Sequence, residues 1–311
     1  MTGADGDVIS ARRGRASALH EVSDRGTLGW YGAEPSAGPG ARALWSGVSG
    51  LSDDLPGIDW RELAELVEVG RRYAHAPIVE AVLEIQVRLR DGKSLDDMRN
   101  LMDGVQNYGQ PDKRYHVHAA LGSEENPVDT VTRQAVGLAF TRTDGLRVVQ
   151  AHLDRFIFSW LPPYDTWDQF QDEALACWRL YQRVAEPEYT TRLAVRFVNR
   201  IDVPQRFDVM DYVRTGVDVS RYLPQLLNSY FMQIEVPLQS DVSARITSAL
   251  APSPAGNASL ILDIDAFRFS EIQLGLEEAE HTLRKQLGVL RDAKNYVFES
   301  CITDATRELI K

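Results

Sequence analysis

The stretch that decides the fold is Thr190–Pro204, TTRLAVRFVNRIDVP. Its odd positions are apolar with one polar exception, and they are Leu193, Val195, Phe197, Asn199 and Ile201. Its even positions carry three arginines, which are Arg192, Arg196 and Arg200. Because successive side chains of a strand point to opposite sides of a sheet, this alternation predicts one long strand with a core face and an arginine face.

The arginine face supports two interpretations. Residues four apart on a strand are separated by about 13 Å, so these arginines would line a surface rather than share one small anion. With Asn199 they are candidates for gripping a phosphate, a carboxylate or a protein, since guanidinium is a planar five-donor group. Alternatively, acidic side chains on a neighbouring strand neutralise the row, which would then be a ladder of ion pairs.

Composition is that of an ordinary globular protein. The 311 residues are 44% hydrophobic and 25% charged, with a formal net charge of −11. An acidic chain repels nucleic acid and anionic membranes at long range, which favours a protein partner. The first residues lack the apolar run of a signal peptide, and no window is apolar enough to cross a membrane, so we expect a cytoplasmic protein. The two cysteines, Cys177 and Cys301, indicate neither a disulfide framework nor a zinc site.

Four segments are predicted along the chain. Residues 1–56 are rich in Gly, Ala, Ser and Asp, and we expect a disordered extension in which Trp30, Tyr31 and Trp45 could dock. Residues 57–73 form a short helix and linker. The folded unit comprises residues 74–187 and 188–311, and in each half a strand precedes a short helix, further strands and a long helix. In the first half the predicted strands are 78–89, 115–121, 134–141, 146–153 and 155–161, with a helix from Ser94 to about Gln106 and a long helix at 166–184. In the second half the predicted strands are 190–203, 230–238, 244–250 and 260–269, with a short helix at 208–214 and a long helix from about Leu276 to Cys301.

Internal matches predict that these halves are copies of one unit. Asp154–Ser159 matches Asp265–Ser270 at a shift of 111 residues, and Glu80, Glu84 and Arg88 match the three arginines at a shift of 112. The order of elements resembles the TATA-binding-protein-like fold, in which two copies join through their first strands into one curved antiparallel sheet with the long helices on one side. The fold class is therefore predicted as α+β, and Glu80 and Glu84 are expected to face the arginine row.

Five phrases resemble a sporadically distributed bacterial family of uncharacterised proteins. They are AHAPIVEAVLEI (74–85), PPYDTWDQF (162–170), RFVNRIDVP (196–204), LDIDAF (262–267) and LRDAKNYVFESCITD (290–304). The resemblance covers residues 74–304. The family's patchy distribution implies an association with mobile, toxin–antitoxin or defence genes.

Aromatic and acidic residues supply further candidates. Tyr164 and Trp167 follow two prolines at the start of a helix, where they could stack a ring or pin the helix to the sheet. Asp263 and Asp265 share one face of a strand, as catalytic carboxylates or metal ligands do, although no third ligand stands at a recognisable spacing. Their other interpretation is structural, at a bend of the strand.

Histidine and lysine residues are the last candidates. His116 and His118 share a strand face, but a metal would need more ligands and His152 is the nearest in sequence. Solvent-facing or hydrogen-bonded histidines are the alternative. Lys294 and Asn295 lie towards the end of a helix, where a cation is favoured without any ligand.

The sequence favours a non-enzymatic binding protein. No Ser/His/Asp order, phosphate-binding loop, HExxH or CxxC motif is present, and we expect no cofactor. The prediction is an adaptor that binds a protein partner in a bacterial regulatory or defence module. A nucleic-acid binder that uses the same arginines is the alternative, and a metal-dependent enzyme that uses Asp263 and Asp265 is the third.

Overall fold

The computed structural model describes residues 18–23, 60–103, 105–120, 130–204, 207–225, 227–239, 241–252 and 258–311. The described strands are β1 (Ala18–Ser23), β2 (Ile78–Leu89), β3 (Asp112–Ala120), β4 (Thr130–Thr141), β5 (Arg147–His152), β6 (Arg155–Trp160), β7 (Pro187–Val203), β8 (Phe231–Pro237), β9 (Ser243–Pro252) and β10 (Ala258–Phe269). The described α-helices are α1 (Trp60–Ala64), α2 (Trp167–Ala185), α3 (Val209–Tyr212), α4 (Ala279–Cys301) and α5 (Asp304–Leu309). The protein is therefore α+β, as predicted.

Contacts divide the chain into two compact units. The first comprises Met1–Ser36 and Lys113–Val136. Within it, β1 pairs antiparallel with β3, from Ala18 opposite Ala119 to Ser23 opposite Arg114. A strand therefore lies inside the stretch 1–56, for which no regular element is predicted. The rest of that expected extension, with Trp30, Tyr31 and Trp45, lies outside the described residues.

The second unit comprises Ala37–Asp112 and Gly137–Lys311 and contains an antiparallel sheet. Across this sheet the strands follow one another in the order β4 (from Gly137), β5, β6, β2, β7, β10, β9 and β8. The central pair is β2 with β7, in which Leu83 lies opposite Val195. The decisive strand of the sequence thus lies in the middle of the sheet.

One face of this sheet is apolar and carries the helices. α2 packs on β6 and β2, and α4 packs on β10, β7 and β9. The buried stripe of α2 includes Phe170, Trp178 and Tyr181, and it meets Phe156 and Phe158 of β6. We call this side the helix face. The opposite side carries the even positions of β2 and β7 and the odd positions of β6, β9 and β10, and we call it the charged face.

Local sequence chemistry fixes the ends of α2. The side chain of Thr166 accepts a hydrogen bond from the backbone N–H of Gln169, which is the N-cap arrangement. At the other end Glu186 has a φ of 49°, in the left-handed region, and its N–H bonds to the carbonyl of Gln182. α2 therefore starts and stops within one or two residues of its predicted bounds.

The helix predicted from Ser94 to about Gln106 is wrong. The described part of that segment forms turns with a short 3₁₀ helix at Asp96–Met98. The backbone N–H and the hydroxyl of Ser94 both bond to the carboxylate of Asp97, at 2.8 Å each. Such local side-chain bonds compete with helix formation. Met98, Leu101 and Met102 are nevertheless buried, so the segment packs into the core without forming the helix that Ser94 as an N-cap predicts.

The match between Asp154–Ser159 and Asp265–Ser270 does not pair equivalent positions. Phe156 and Phe158 lie on the helix face of β6, whereas Phe267 and Phe269 lie on the charged face of β10. An odd shift reverses the faces of a strand, because side chains alternate with a period of two. The even shift of 112 between β2 and β7 keeps the matched residues on one face.

α5, whose N-cap is Thr303, is an additional short helix that the sequence does not predict. Among the described residues, no helix combines the length and the apolar character needed to cross a membrane.

Candidate functional site

The structure separates the predicted site residues of β7 between the two faces. Arg192, Arg196 and Arg200 lie on the charged face. Asn199 lies on the helix face and is buried, and its side-chain amide donates to the carbonyls of Leu262 (3.0 Å) and Phe197 (3.3 Å). Asn199 therefore satisfies backbone carbonyls within the sheet and does not join the arginines.

Arg192 is the most buried of the three arginines. Its Nη1 donates to Oε1 of Glu84 on β2 at 2.7 Å, and its Nη2 donates to Oδ2 of Asp265 on β10 at 2.8 Å. The guanidinium carbon also lies 4.4 Å from the ring centroid of Phe267. One guanidinium thus links three adjacent strands, with carboxylates on both sides and an aromatic ring against it.

Arg196 makes a two-point contact with Asp263. Its Nε donates to Oδ1 at 2.8 Å and its Nη2 donates to Oδ2 at 2.6 Å. Burial by itself lowers the pKa of Arg196, but the hydrogen bonds and the charge of Asp263 outweigh burial, and the pKa is raised above its ordinary value. Arg196 is therefore permanently charged and held in place.

Arg200 is more exposed than the other two. Its Nε lies 3.1 Å from the hydroxyl of Ser259 and 3.3 Å from Oδ1 of Asp202. The hydroxyl of Ser259 donates in turn to Asp202 at 2.5 Å. Its partners thus lie at the end of β7 and on β10, and not on β2. Both expected acidic partners on β2 act on the arginine row: Glu84 accepts a hydrogen bond from Arg192, and the negative charge of Glu80 helps to raise the pKa of Arg196.

A line of alternating charges runs across the charged face from strand to strand. From β6 to β8 the line consists of Asp154, Arg155, Glu84, Arg192, Asp265, Arg245 and Glu235. The successive nitrogen–oxygen distances are 2.9, 3.8, 2.7, 2.8, 4.0 and 3.1 Å. Six ion pairs thus join seven residues, of which Arg155 to Glu235 lie one on each of the six strands from β6 to β8, and we call the line the charge row. Four carboxylates and three guanidinium groups leave it with one excess negative charge.

Two phenylalanines on β10 stand beside the charge row. Phe267 is only 4% exposed and lies between Arg192 and Arg245, whose guanidinium carbons are 4.4 and 5.5 Å from its ring centroid. Phe269 is 74% exposed and meets Phe267 edge to face, with the ring centroids 6.0 Å apart. Neither phenylalanine is predicted as a site residue from the sequence. Alternation along β10 could have placed both on the charged face, because they have odd numbers like Asp263 and Asp265.

Tyr164 and Trp167 lie on the helix face, away from the arginines. The Tyr164 ring meets Phe197 at 5.2 Å and Phe170 at 6.0 Å, and Trp167 meets Phe170 at 5.7 Å. Burial raises the pKa of the Tyr164 hydroxyl above its usual value. These contacts are those of aromatic residues that pin the start of α2 to the sheet.

Lys294 lies in the interior of α4 and not at its end. α4 continues to Cys301, two turns further on, so the field of the helix terminus does not explain this lysine. Its ammonium nitrogen lies 3.9 Å from the ring centroid of Phe197. The aromatic face of Phe197 therefore accommodates the cation within the helix face.

The acidic and histidine candidates are not grouped as metal ligands. Asp263 and Asp265 bind Arg196 and Arg192. His116 is partly buried in β3, and the side chain of His118 lies outside the described residues. Within the parts of the chain that the structure describes, no group of three or more His, Cys, Asp or Glu side chains could hold a metal ion.

His152 lies in β5, directly opposite Gly137 of β4. A Cβ atom added to Gly137 would lie 2.7 Å from Cε1 and Nδ1 of the His152 ring. The backbone carbonyl of His152 accepts a hydrogen bond from the Tyr181 hydroxyl at 2.7 Å. The ring therefore occupies the space that glycine leaves, which is a packing role.

No model of a known protein family and no curated protein matches this chain.

Proposed function

We propose that the protein is a non-enzymatic adaptor that binds a protein partner through the charged face, with Phe269 as the anchor of the interface. The observation that carries the proposal is the exposed Phe269 ring, which meets Phe267 edge to face, while Phe267 itself lies between Arg192 and Arg245. Aromatic and arginine side chains dominate the energetics of protein interfaces. The sequence resemblance to a sporadically distributed bacterial family extends the proposal to a partner within a regulatory or defence module.

The charge row presents charges of both signs beside the two phenylalanines. It therefore favours a partner surface on which an apolar residue is flanked by charged residues of both signs. Arg192 and Asp265 hold each other at 2.8 Å, so these ions of the charge row are already oriented before a partner arrives. A preorganised surface loses little side-chain entropy on binding. An apolar residue of the partner would cover Phe269, and the charged residues around that residue on the partner would contact the charge row.

The same geometry favours a protein over a nucleic acid. Affinity for nucleic acid comes mainly from cations that neutralise phosphates. Each of the three arginines already contacts a carboxylate: Asp265 and Glu84 for Arg192, Asp263 for Arg196 and Asp202 for Arg200. A phosphate would have to displace a carboxylate that is fixed in the sheet. Asp263 and Asp265 are likewise engaged, so we do not favour a metal-dependent enzyme.

A capture experiment with matched variants tests the proposal. Full-length tagged protein, Phe269→Ala and Tyr222→Ala are used to isolate partners from the native bacterium. Tyr222 is the control because it is an aromatic residue of similar exposure (82%) in the loop before β8. We expect a protein captured in stoichiometric amount by the wild type and by Tyr222→Ala, and reduced at least tenfold by Phe269→Ala.

Two outcomes would contradict the proposal. A partner held equally by all three proteins would place the interface elsewhere. Bound nucleic acid that is released steeply with salt would replace the proposal with the nucleic-acid alternative.

We also propose that residues 74–187 and 188–311 are duplicated halves in a TATA-binding-protein-like arrangement. The order of strands outward from the centre supports it, since β2 is followed by β6, β5 and β4, and β7 is followed by β10, β9 and β8. A long helix ends each series, α2 in one and α4 in the other. Superposing the halves in a crystal structure tests this. Equivalent strands whose apolar residues fell on opposite faces would refute it.

A further inference from the structure

β8 is the last strand on one side of the sheet. It pairs antiparallel with β9, from Phe231 opposite Ala249 to Pro237 opposite Ser243. In the described part of the chain, no strand pairs with its outer side, and β9 is the one element with which β8 is in extensive contact. A strand in this position presents backbone N–H and C=O groups that can pair with a further strand. We call this outer side the β8 edge.

Hydrogen bonds at both ends of β8 show which backbone groups face outward. The N–H of Leu250 donates to the carbonyl of Tyr230 at 3.2 Å, and the N–H of Leu238 donates to the carbonyl of Val242 at 2.8 Å. The even-numbered residues of β8 therefore bond to β9, because bonded and non-bonded pairs alternate along an antiparallel ladder. The residues whose backbone groups face outward are Phe231, Gln233, Glu235 and Pro237.

The side chains of β8 are compatible with a second copy of the same strand. Met232, Ile234 and Val236 are half-buried and lie on the helix face, since Ile234 is opposite the buried Ile246 of β9. The odd positions are exposed and carry one charge, that of Glu235. Antiparallel pairing of β8 with itself therefore places apolar side chains against apolar side chains, provided that the two copies of Glu235 do not face each other.

We propose that the protein forms a symmetric dimer in which β8 pairs antiparallel with β8 of a second copy, about a two-fold axis at Ile234. All seven residues of the strand are then paired. Paired residues share a face, so the sheet continues through both copies with the two charged faces on one side. The cross-strand pairs are Ile234 with Ile234, Met232 with Val236, Gln233 with Glu235, and Phe231 with Pro237.

Charge and overlap select this register. Each Gln233–Glu235 pair exchanges two backbone hydrogen bonds, and each Phe231–Pro237 pair makes one, because proline has no N–H. A two-fold axis at Glu235 would place two carboxylates opposite each other and leave the start of β8 unpaired. An axis at Gln233 would leave the end of β8 unpaired. The axis at Ile234 avoids both costs.

The size of the interface and the net charge predict how strong the dimer is. Two short strands bury less surface than the about 1,600 Å² of a standard stable interface, so the dimer is reversible. Each copy carries a net charge of −11, and the repulsion between two acidic copies is screened by salt. We therefore expect a dimer that dissociates on dilution and becomes tighter as salt is added.

Sedimentation velocity of the full-length protein, from about 1 to about 200 µM, tests the proposal together with two pairs of variants. Gln233→Lys places a cation opposite Glu235 of the second copy on both sides of the axis, and we expect it to tighten the dimer at least threefold. Gln233→Glu creates two like-charge pairs and should weaken the dimer at least threefold. Gln273→Lys and Gln273→Glu make the same changes of charge at an exposed glutamine next to the start of β7, and each should change the dissociation constant less than twofold.

Hydrogen exchange measured by mass spectrometry checks that the strand itself is the interface. Residues 231–237 should exchange more slowly at high protein concentration, because the outward N–H groups of Phe231, Gln233 and Glu235 are then bonded. A protein that stays monomeric over the whole range would overturn the proposal, and so would Gln233 variants that behave like the Gln273 controls. Protection of residues 231–237 by a captured partner, in a protein that remains monomeric, would assign the β8 edge to a strand of another protein. The proposed interface at Phe269 is tested separately, since Phe269→Ala changes no residue of β8.

Discussion

Arg192 and Glu84 join the two central strands of the sheet: Nη1 of Arg192 donates to Oε1 of Glu84 across the β2–β7 boundary at 2.7 Å. The arginine side chain is 5% exposed and the glutamate side chain 16% exposed, so water screens this contact only weakly. Asp265 completes the arrangement from β10. The arginine face of the sequence is therefore part of the internal framework of the sheet.

Removing Arg192 should destabilise the protein far more than removing Arg200. In Arg192→Met, Glu84 and Asp265 lose their shared cation in a partly buried site, and we expect a loss of about 2–4 kcal/mol in the free energy of unfolding. Arg200→Met is the matched control, since Arg200 meets the exposed Asp202, and it should cost less than about 1 kcal/mol. Urea denaturation followed by circular dichroism measures both. Equal losses would show that the charge row contributes no special stability.

Replacing Phe267 should lower the stability of the protein, whereas replacing Phe269 should affect partner binding and leave stability nearly unchanged. Phe267→Ala removes a buried ring between Arg192 and Arg245, and we expect a cost of about 3 kcal/mol. Phe269→Ala removes an exposed ring and should change the free energy of unfolding by less than about 0.5 kcal/mol. The same denaturation measurement compares them. A loss in Phe269→Ala as large as that in Phe267→Ala would show that the Phe269 ring is part of the core and not a free anchor for a partner.

Gly137 and Gly288 should respond oppositely to alanine. The new Cβ of Gly137→Ala would meet the buried His152 ring at 2.7 Å, so we expect a loss of about 1–3 kcal/mol. Gly288 lies inside α4 with nothing within 4 Å of a Cβ, and Gly288→Ala should stabilise the protein by up to about 1 kcal/mol. Thermal unfolding with both variants checks the pair. A neutral Gly137→Ala would show that the His152 ring moves aside freely.

Lys294→Met should change how stability depends on pH. The folded pKa of Lys294 is about 7, below the unfolded value of about 10.4. Between these pKa values the unfolded chain binds a proton at Lys294 that the folded protein does not. The free energy of unfolding therefore rises with pH, by up to about 1.4 kcal/mol per pH unit, because the cost of burying this lysine falls. Below pH 7 both states are protonated and this slope disappears.

The measurement compares wild type and Lys294→Met by urea denaturation at pH 6, 7.5 and 9. Other titrating groups contribute to both proteins and cancel in the difference between them. We expect Lys294→Met to be the more stable protein at pH 6 and to lose that advantage towards pH 9. A difference that stays constant over this range would mean that the folded pKa of Lys294 is not depressed.

The sequence predicted most strands and the two long helices within a few residues of their observed bounds. Strand alternation and the amphipathic stripe of α2 depend on local periodicity, which a sequence displays directly. The helix predicted after Ser94 does not form, because this serine, although it is an N-cap residue by type, bonds to Asp97 and closes a turn. α5 was missed because six residues are too few for a clear period.

The sequence by itself determined that Thr190–Pro204 is a strand with arginines on one face, since neighbouring side chains on a strand must alternate. Only the tertiary structure decided what those arginines meet. Their partners Glu84, Asp263 and Asp265 come from strands far away in the chain, and a shift of one residue in register would have moved all of them to the other face. The same holds for Lys294, whose burial against Phe197 depends on how α4 lies on the sheet. Alternation of side chains depends only on neighbouring residues in the chain. Ion pairs and burial depend on which distant segments pack together.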